Sequence, residues 1–228
     1  MDSNSFSVDI NFLKLKHPFT AVVAGPTGSG KTVIVRHILE SWKSVIDIKI
    51  DKLNVLWYHG EPQEIHKSKL KNVNITYVFD KPHEKDIETY KPNIIVVDDL
   101  MDEVKNDETL AKIFTRGSHH KNISIIFIIQ NLFHKGAQMR TISLNSQYFI
   151  LTKNRRDLQQ IENFGRQCFP GKSKGFLKVY LDATDKPYGY LLFDSHVSTQ
   201  ENHRLRTRIT PQDIDKTNSV LPYCYEIV

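Results

Sequence analysis

The chain has 228 residues, 39% of them hydrophobic, which is enough for one α/β domain with a core of its own. Its 31 Lys and Arg against 26 Asp and Glu leave a net charge of +5, a mild excess that permits a polyanionic partner without demanding one. Two cysteines, Cys168 and Cys224, exclude a disulfide framework and a cysteine metal site and make a reducing compartment the default. No apolar run approaches membrane-spanning length, and Asp, Asn and Lys among the apolar positions of residues 1–18 leave no visible signal peptide.

Residues 1–18 read as a leader in which Phe6, Val8, Ile10 and Phe12 alternate, a pattern suited to an edge strand. Phe19 to Ala24 is an apolar strand, and after a glycine-rich stretch Ile34, Val35, Ile38, Leu39 and Trp42 fall on one helical face. Residues 53–58 and 75–79 predict short strands, ended by Glu61-Pro62 and Lys81-Pro82, and residues 87–90 a helical turn. Residues 94–97 and 123–129 are continuously apolar and β-branched, as in strands buried on both faces. A helix is expected over 107–116, a short strand over 148–152, and another helix carrying Leu158, Ile161 and Phe164. Residues 176–181 and 188–193 bracket Asp185-Lys186-Pro187 and read as a C-terminal β-hairpin. The organisation expected is a leader over 1–18, one domain over 19–194, and a polar, basic tail over 195–228 that either docks or is poorly ordered. Alternating strands and helices predict a three-layer α/β fold, with a mainly parallel sheet and helices on both faces. Ligands of such a sheet sit at the carboxyl ends of its strands.

The glycine-rich stretch is Gly25-Pro26-Thr27-Gly28-Ser29-Gly30-Lys31-Thr32, a complete phosphate loop between a strand and a helix. Its glycines let the backbone wrap a polyphosphate closely, and its amides and the helix start point at the anion. Lys31 suits the outer phosphates and Thr32 suits Mg²⁺. The strand at 94–97 ends in Asp98-Asp99, two acids that must emerge at its carboxyl edge. There Asp98 would share Mg²⁺ with Thr32, and Asp99 would orient and polarise the attacking water. The pair could instead cap the following segment, and Asp99 is one methylene shorter than the Glu many such ATPases use. The stretch from Lys31 to Asp98 leaves room for a helix and two strands, which suggests extra strands between the loop strand and the acidic strand. That arrangement marks the ATPase branch of the phosphate-loop NTPases (the ASCE type), which carries its own water-activating acid. No Asn-Lys-x-Asp guanine-reading motif is present, so ATP is the expected nucleotide.

Gln130 closes the apolar run at 123–129 and is a candidate sensor of the γ-phosphate or holder of the lytic water, with Asn131 able to share the role. A cationic finger from a neighbouring subunit is common in such phosphoryl transfers. Arg116 is the first candidate, Arg140 the second, and Arg155 and Arg156 follow. His119 and His120 lack metal spacing. Basic residues cluster at Lys153, Arg155 and Arg156, at Lys172 and Lys174, and at Arg204, Arg206 and Arg208. Such clusters either follow a phosphate backbone without reading bases or are solvated faces.

Several longer strings go further. They are Ile95-Val96-Val97-Asp98-Asp99-Leu100-Met101, Phe114-Thr115-Arg116-Gly117-Ser118-His119-His120, Met139-Arg140-Thr141-Ile142-Ser143 and Lys153-Asn154-Arg155-Arg156-Asp157. With the phosphate loop, Gln130-Asn131-Leu132-Phe133 and Pro187-Tyr188-Gly189-Tyr190, they resemble the genome-packaging ATPases of the FtsK–HerA superfamily over about residues 19–193. The type resembled is that of Maverick/Polinton elements and poxviruses. The resemblance implies ATP and Mg²⁺ as cofactors and a motor that moves double-stranded DNA, without sequence preference, into a capsid. It implies a ring homo-oligomer with ATP between subunits, a capsid or portal partner, and residence inside the host cell (nucleus or cytoplasm) and in the virion. Lys31, Thr32, Asp98, Asp99 and Gln130 match its motifs. A helicase or chromosome translocase of the same superfamily, or a nucleotide-binding structural switch, is the alternative.

Overall fold

The computed structural model describes residues 11–60, 70–100, 121–132, 142–213 and 222–227. Of the sequence expectations, the alternation at Phe6 to Ile10, the helix over 107–116, Arg116, Arg140 and the His119-His120 pair lie outside these residues.

β1 (Leu15–Lys16) pairs in parallel with β3 (Ile46–Asp47) in a small separate sheet, and Phe12 lies in a 3₁₀ turn before it. The main sheet begins with β2 (Thr20–Ala24), which leads through the glycine-rich loop into α1 (Lys31–Glu40), followed by α2 (Trp42–Val45). β4 (Leu53–His59), β5 (Val73–Val78), α3 (Glu84–Tyr90), β6 (Ile94–Asp98), β7 (Ser124–Ile129) and β8 (Tyr148–Thr152) come next. They are followed by α4 (Leu158–Cys168), α5 (Ser173–Ala183), β9 (Tyr190–Asp194), β10 (Leu205–Thr207) and β11 (Tyr223–Tyr225).

The sheet has nine strands in the order β11-β10-β9-β8-β2-β7-β6-β4-β5. From β8 to β5 every pairing is parallel, whereas β8–β9, β9–β10 and β10–β11 are antiparallel. The central strands β2, β6 and β7 are buried along their whole length and largely apolar because both faces are covered, whereas β5 at the edge is only partly buried and carries Asn74 and Thr76. On one face Ala21, Val23 and Trp57 pack with Ile34, Val35, Ile38 and Leu39 of α1. On the other, Val22, Phe127 and Phe149 pack with Ile161 and Phe164 of α4 and Phe176 and Tyr180 of α5. Successive strand residues alternate between these two cores, so the predicted three-layer architecture is present.

Three expectations need correction. Residues 176–181 are helix, not strand: Phe176, Tyr180 and Ala183 repeat at helical spacing and are buried together. The C-terminal antiparallel hairpin is present, but β9 and β10 form it. Among the described residues, the segment after 194 supplies β10 and β11 to the main sheet, so a boundary at 194 would fall between paired strands. The strands between the two nucleotide motifs in sequence, β4 and β5, lie outside β6 at the sheet's far side; the strand that separates β2 from β6 in space is β7, which comes later in the chain. The ASCE feature is therefore real but carried by a different segment.

Candidate functional site

β2, β6 and β7 are parallel neighbours, with Ala24 opposite Ile129 and Asp98 opposite Ile128. The loop after β2, the acids at the end of β6 and Gln130 after β7 must therefore meet at one rim. They do: Gly28, Lys31, Thr32, Asp98, Asp99 and Gln130 line a single cleft of about 280 Å³.

The loop is held by its own backbone and by β8. Gly25 N donates to Ile129 O at 3.2 Å, and Ser29 N to Pro26 O at 3.2 Å. The Ser29 hydroxyl meets Thr152 Oγ1 at 2.7 Å, and Thr152 Oγ1 also lies 3.1 Å from Ala24 O, to which it donates. A Cβ on Gly25 would sit 2.0 Å from Thr152 Oγ1, so this close approach needs glycine. At Gly28 the reason differs. Its φ of 77° is left-handed and nothing lies within 4 Å of where a Cβ would be, so the backbone is open to an incoming anion. Sequence reading did not single out Thr152; its signal is a lone polar residue closing an apolar strand.

Lys31 Nζ folds back to Pro26 O at 2.9 Å. Burial lowers its pKa, while the charges of Asp98 and Asp99 act in the opposite direction. Thr32 Oγ1 faces Asp98 Oδ2 at 3.4 Å. Asp98 is 7% exposed, and its pKa is raised to about 6, first by burial and next by the Asp99 carboxylate, against the pull of Lys31. A desolvated carboxylate beside a hydroxyl and a second carboxylate is short of positive charge. This donor set fits Mg²⁺, which takes one or two protein oxygens and completes its shell with phosphate and water. Among the described residues there is no cluster of three or more His, Cys, Asp or Glu that could hold a metal ion.

Asp99 follows with a φ of 54°. Gln130 Nε2 donates to both of its carboxylate oxygens, at 3.0 and 3.2 Å, so the amide at the end of β7 fixes the direction of the second acid. Arg155 and Arg156 line a second, open cleft with Lys153 beside the same phosphate loop. Arg206 differs from the other basic residues: it is fully buried and paired with Asp194 at 2.8 Å, so it is no phosphate contact. Arg204 leans on the rings of Phe169 and Phe193 and pairs with Glu201 at 2.9 Å.

The fold has solved counterparts. The chain shares its fold with B204. The genome packaging NTPase B204 of Sulfolobus turreted icosahedral virus 2, in complex with ATPγS, superposes with a TM-score of 0.57 at 14% identity, covering 83% of this chain and 96% of that one. Its sulfate complex gives 0.54 at 13% identity, over 80% and 94%. B204 of Sulfolobus turreted icosahedral virus, a DNA-packaging ATPase, gives 0.51 at 13% identity, over 78% and 94%. No family model matches the chain, and no curated protein does. Among the described residues no helix is long and apolar enough to cross a membrane.

Proposed function

We propose that this chain is a Mg²⁺-dependent ATPase that drives double-stranded DNA into a viral capsid. The observation that carries the reading is the meeting of Lys31, Thr32, Asp98, Asp99 and Gln130 in one cleft at the carboxyl rim of the sheet. The likeness in fold to the B204 packaging NTPases supports the direction of the work.

In this reading the loop amides and Lys31 hold the β- and γ-phosphates, Lys31 leaving the Pro26 carbonyl to do so. Thr32 and Asp98 hold Mg²⁺, which neutralises charge on the phosphate oxygens when bound. Asp99 accepts a hydrogen bond from the attacking water and takes its proton as the bond to the γ-phosphorus forms and the bond from that phosphorus to the β,γ-bridging oxygen breaks, the electron pair leaving with ADP. Gln130, already fixed on Asp99, sets the carboxylate's angle and meets the γ-phosphate at the strand tip. The chain acts as a ring of identical subunits, each with a modest positive charge facing one duplex. A finger arginine comes from the neighbour; Arg116 and Arg140 are its candidates, whereas Arg155 and Arg156 already stand beside their own loop and suit a role within one subunit.

The test is ATP hydrolysis by the full chain with and without duplex DNA, across a salt series, together with the mass of the particle formed with ATPγS and DNA. Turnover should rise with duplex DNA of any sequence, and the rise should fade with salt. A strict monomer whose turnover ignores DNA would leave a nucleotide switch in place of a motor.

A further inference from the structure

The cleft that holds Asp98, Asp99 and Gln130 also has apolar lining. Val33, the residue after Thr32 on the first turn of α1, supplies part of it, and so does Tyr188 from the turn between α5 and β9. Both are left open to solvent, Val33 at 50% and Tyr188 at 71% exposure.

Tyr188 is held firmly. Its φ of 60° is left-handed. Gly189 N closes the turn on Lys186 O at 3.1 Å, and Lys153 N donates to Gly189 O at 3.1 Å, tying the turn to the end of β8. A Cβ on Gly189 would lie 2.8 Å from Ala183 O, so the chain can pass there only as glycine. The ring then comes so close to the phosphate loop that a Cβ on Gly30 would meet Tyr188 Cδ1 at 3.1 Å. An aromatic ring fixed by a rigid turn against a phosphate cradle offers a flat, apolar, polarisable face at low entropic cost.

We infer that Tyr188, with Val33 beside it, is the platform on which the base of the bound nucleotide stacks, and that the site prefers the larger face of a purine. This rests on the nucleotide reading above. With phosphates in the loop, a base held within the same cleft has Val33 and Tyr188 to pack on. Among the described residues that line the cleft, Tyr188 is the only aromatic one. Every base has a π-face, so the contact ranks nucleotides by ring size and not by hydrogen-bond pattern.

The experiment titrates the full chain with Mg²⁺·ATPγS and with Mg²⁺·tripolyphosphate, in wild type, Tyr188→Ala and Tyr188→Phe. Tyr188→Ala should weaken ATPγS about tenfold and leave tripolyphosphate within about twofold, while Tyr188→Phe keeps both near wild type. Equal losses for the two ligands in Tyr188→Ala would mean that the ring only props up Gly30, and unchanged ATPγS affinity would mean it does nothing for the base; either result overturns the inference. Wild type that binds tripolyphosphate as tightly as ATPγS sinks the platform alone. Wild type that binds neither sinks the nucleotide site and the platform with it.

Discussion

Two strands of this sheet end alike in sequence and do opposite things. β6 reads Ile-Ile-Val-Val-Asp and β9 reads Tyr-Leu-Leu-Phe-Asp, and all ten residues are buried. β9 runs antiparallel to β8, with Asp194 opposite Tyr148, so Asp194 lies at the rim where the parallel strands begin. There its charge is matched within the chain. Oδ2 accepts from the Arg206 guanidinium at 2.8 Å and from Thr199 Oγ1 at 3.0 Å, and Oδ1 accepts from His196 N at 3.0 Å. Asp98, at the other rim, accepts a long 3.4 Å bond from Thr32 and feels Asp99 as a like charge, and its pKa rises to about 6. Asp194 is surrounded by its own counter-charge, whereas at Asp98 burial and the like charge of Asp99 outweigh the pull of Lys31, as the proposed Mg²⁺ role calls for.

The contrast can be broken by the same substitution at each place. Asp98→Asn should lower ATP turnover by about 10³-fold, the scale of losing several kcal/mol of metal-assisted charge stabilisation, while the melting temperature holds or rises. A melting temperature that falls with it would make Asp98 a structural residue like its counterpart. Asp194→Asn strands the Arg206 guanidinium in the core and should cost about 3–5 kcal/mol in a denaturant titration, with the folded fraction still hydrolysing ATP. Thr152→Ala removes the hydroxyl that ties Ser29 and Ala24 together, and should cost about 1–2 kcal/mol and weaken nucleotide binding several-fold by calorimetry. Arg166→Ala deletes an exposed pair with Glu162 on α4 and should shift stability by less than about 0.5 kcal/mol; a larger shift would show that charge on this surface counts for more than its solvation suggests.

The candidate site was largely legible because its parts are local. A phosphate loop needs eight consecutive residues, and the acids and Gln130 each sit at the end of a continuous apolar run. What sequence reading missed is non-local. That β7 slips between β2 and β6 follows from how the whole sheet is wound. Arg206 looks like a solvated charge until Asp194, twelve residues earlier, is brought beside it. The helix at 173–183 was concealed by Phe-Leu-Lys-Val-Tyr-Leu, a string rich enough in aromatic and branched residues to pass for a strand. Its four-residue spacing of Phe176 and Tyr180 is helical, and Gly165 of α4 makes room for Phe176, whose Cδ1 would lie 2.7 Å from a Cβ there.

The left-handed backbone at Asp99 also bears on which acid can stand there. Side chains that reach back to their own peptide group tolerate that conformation, and among acids Asp does so far better than Glu. The shorter carboxylate is therefore the one this corner admits, and the amide of Gln130, close enough to grasp both oxygens, makes up in aim what the side chain lacks in reach. Lengthening Asp99 to Glu should consequently yield a worse enzyme in this chain, even though the longer acid serves elsewhere.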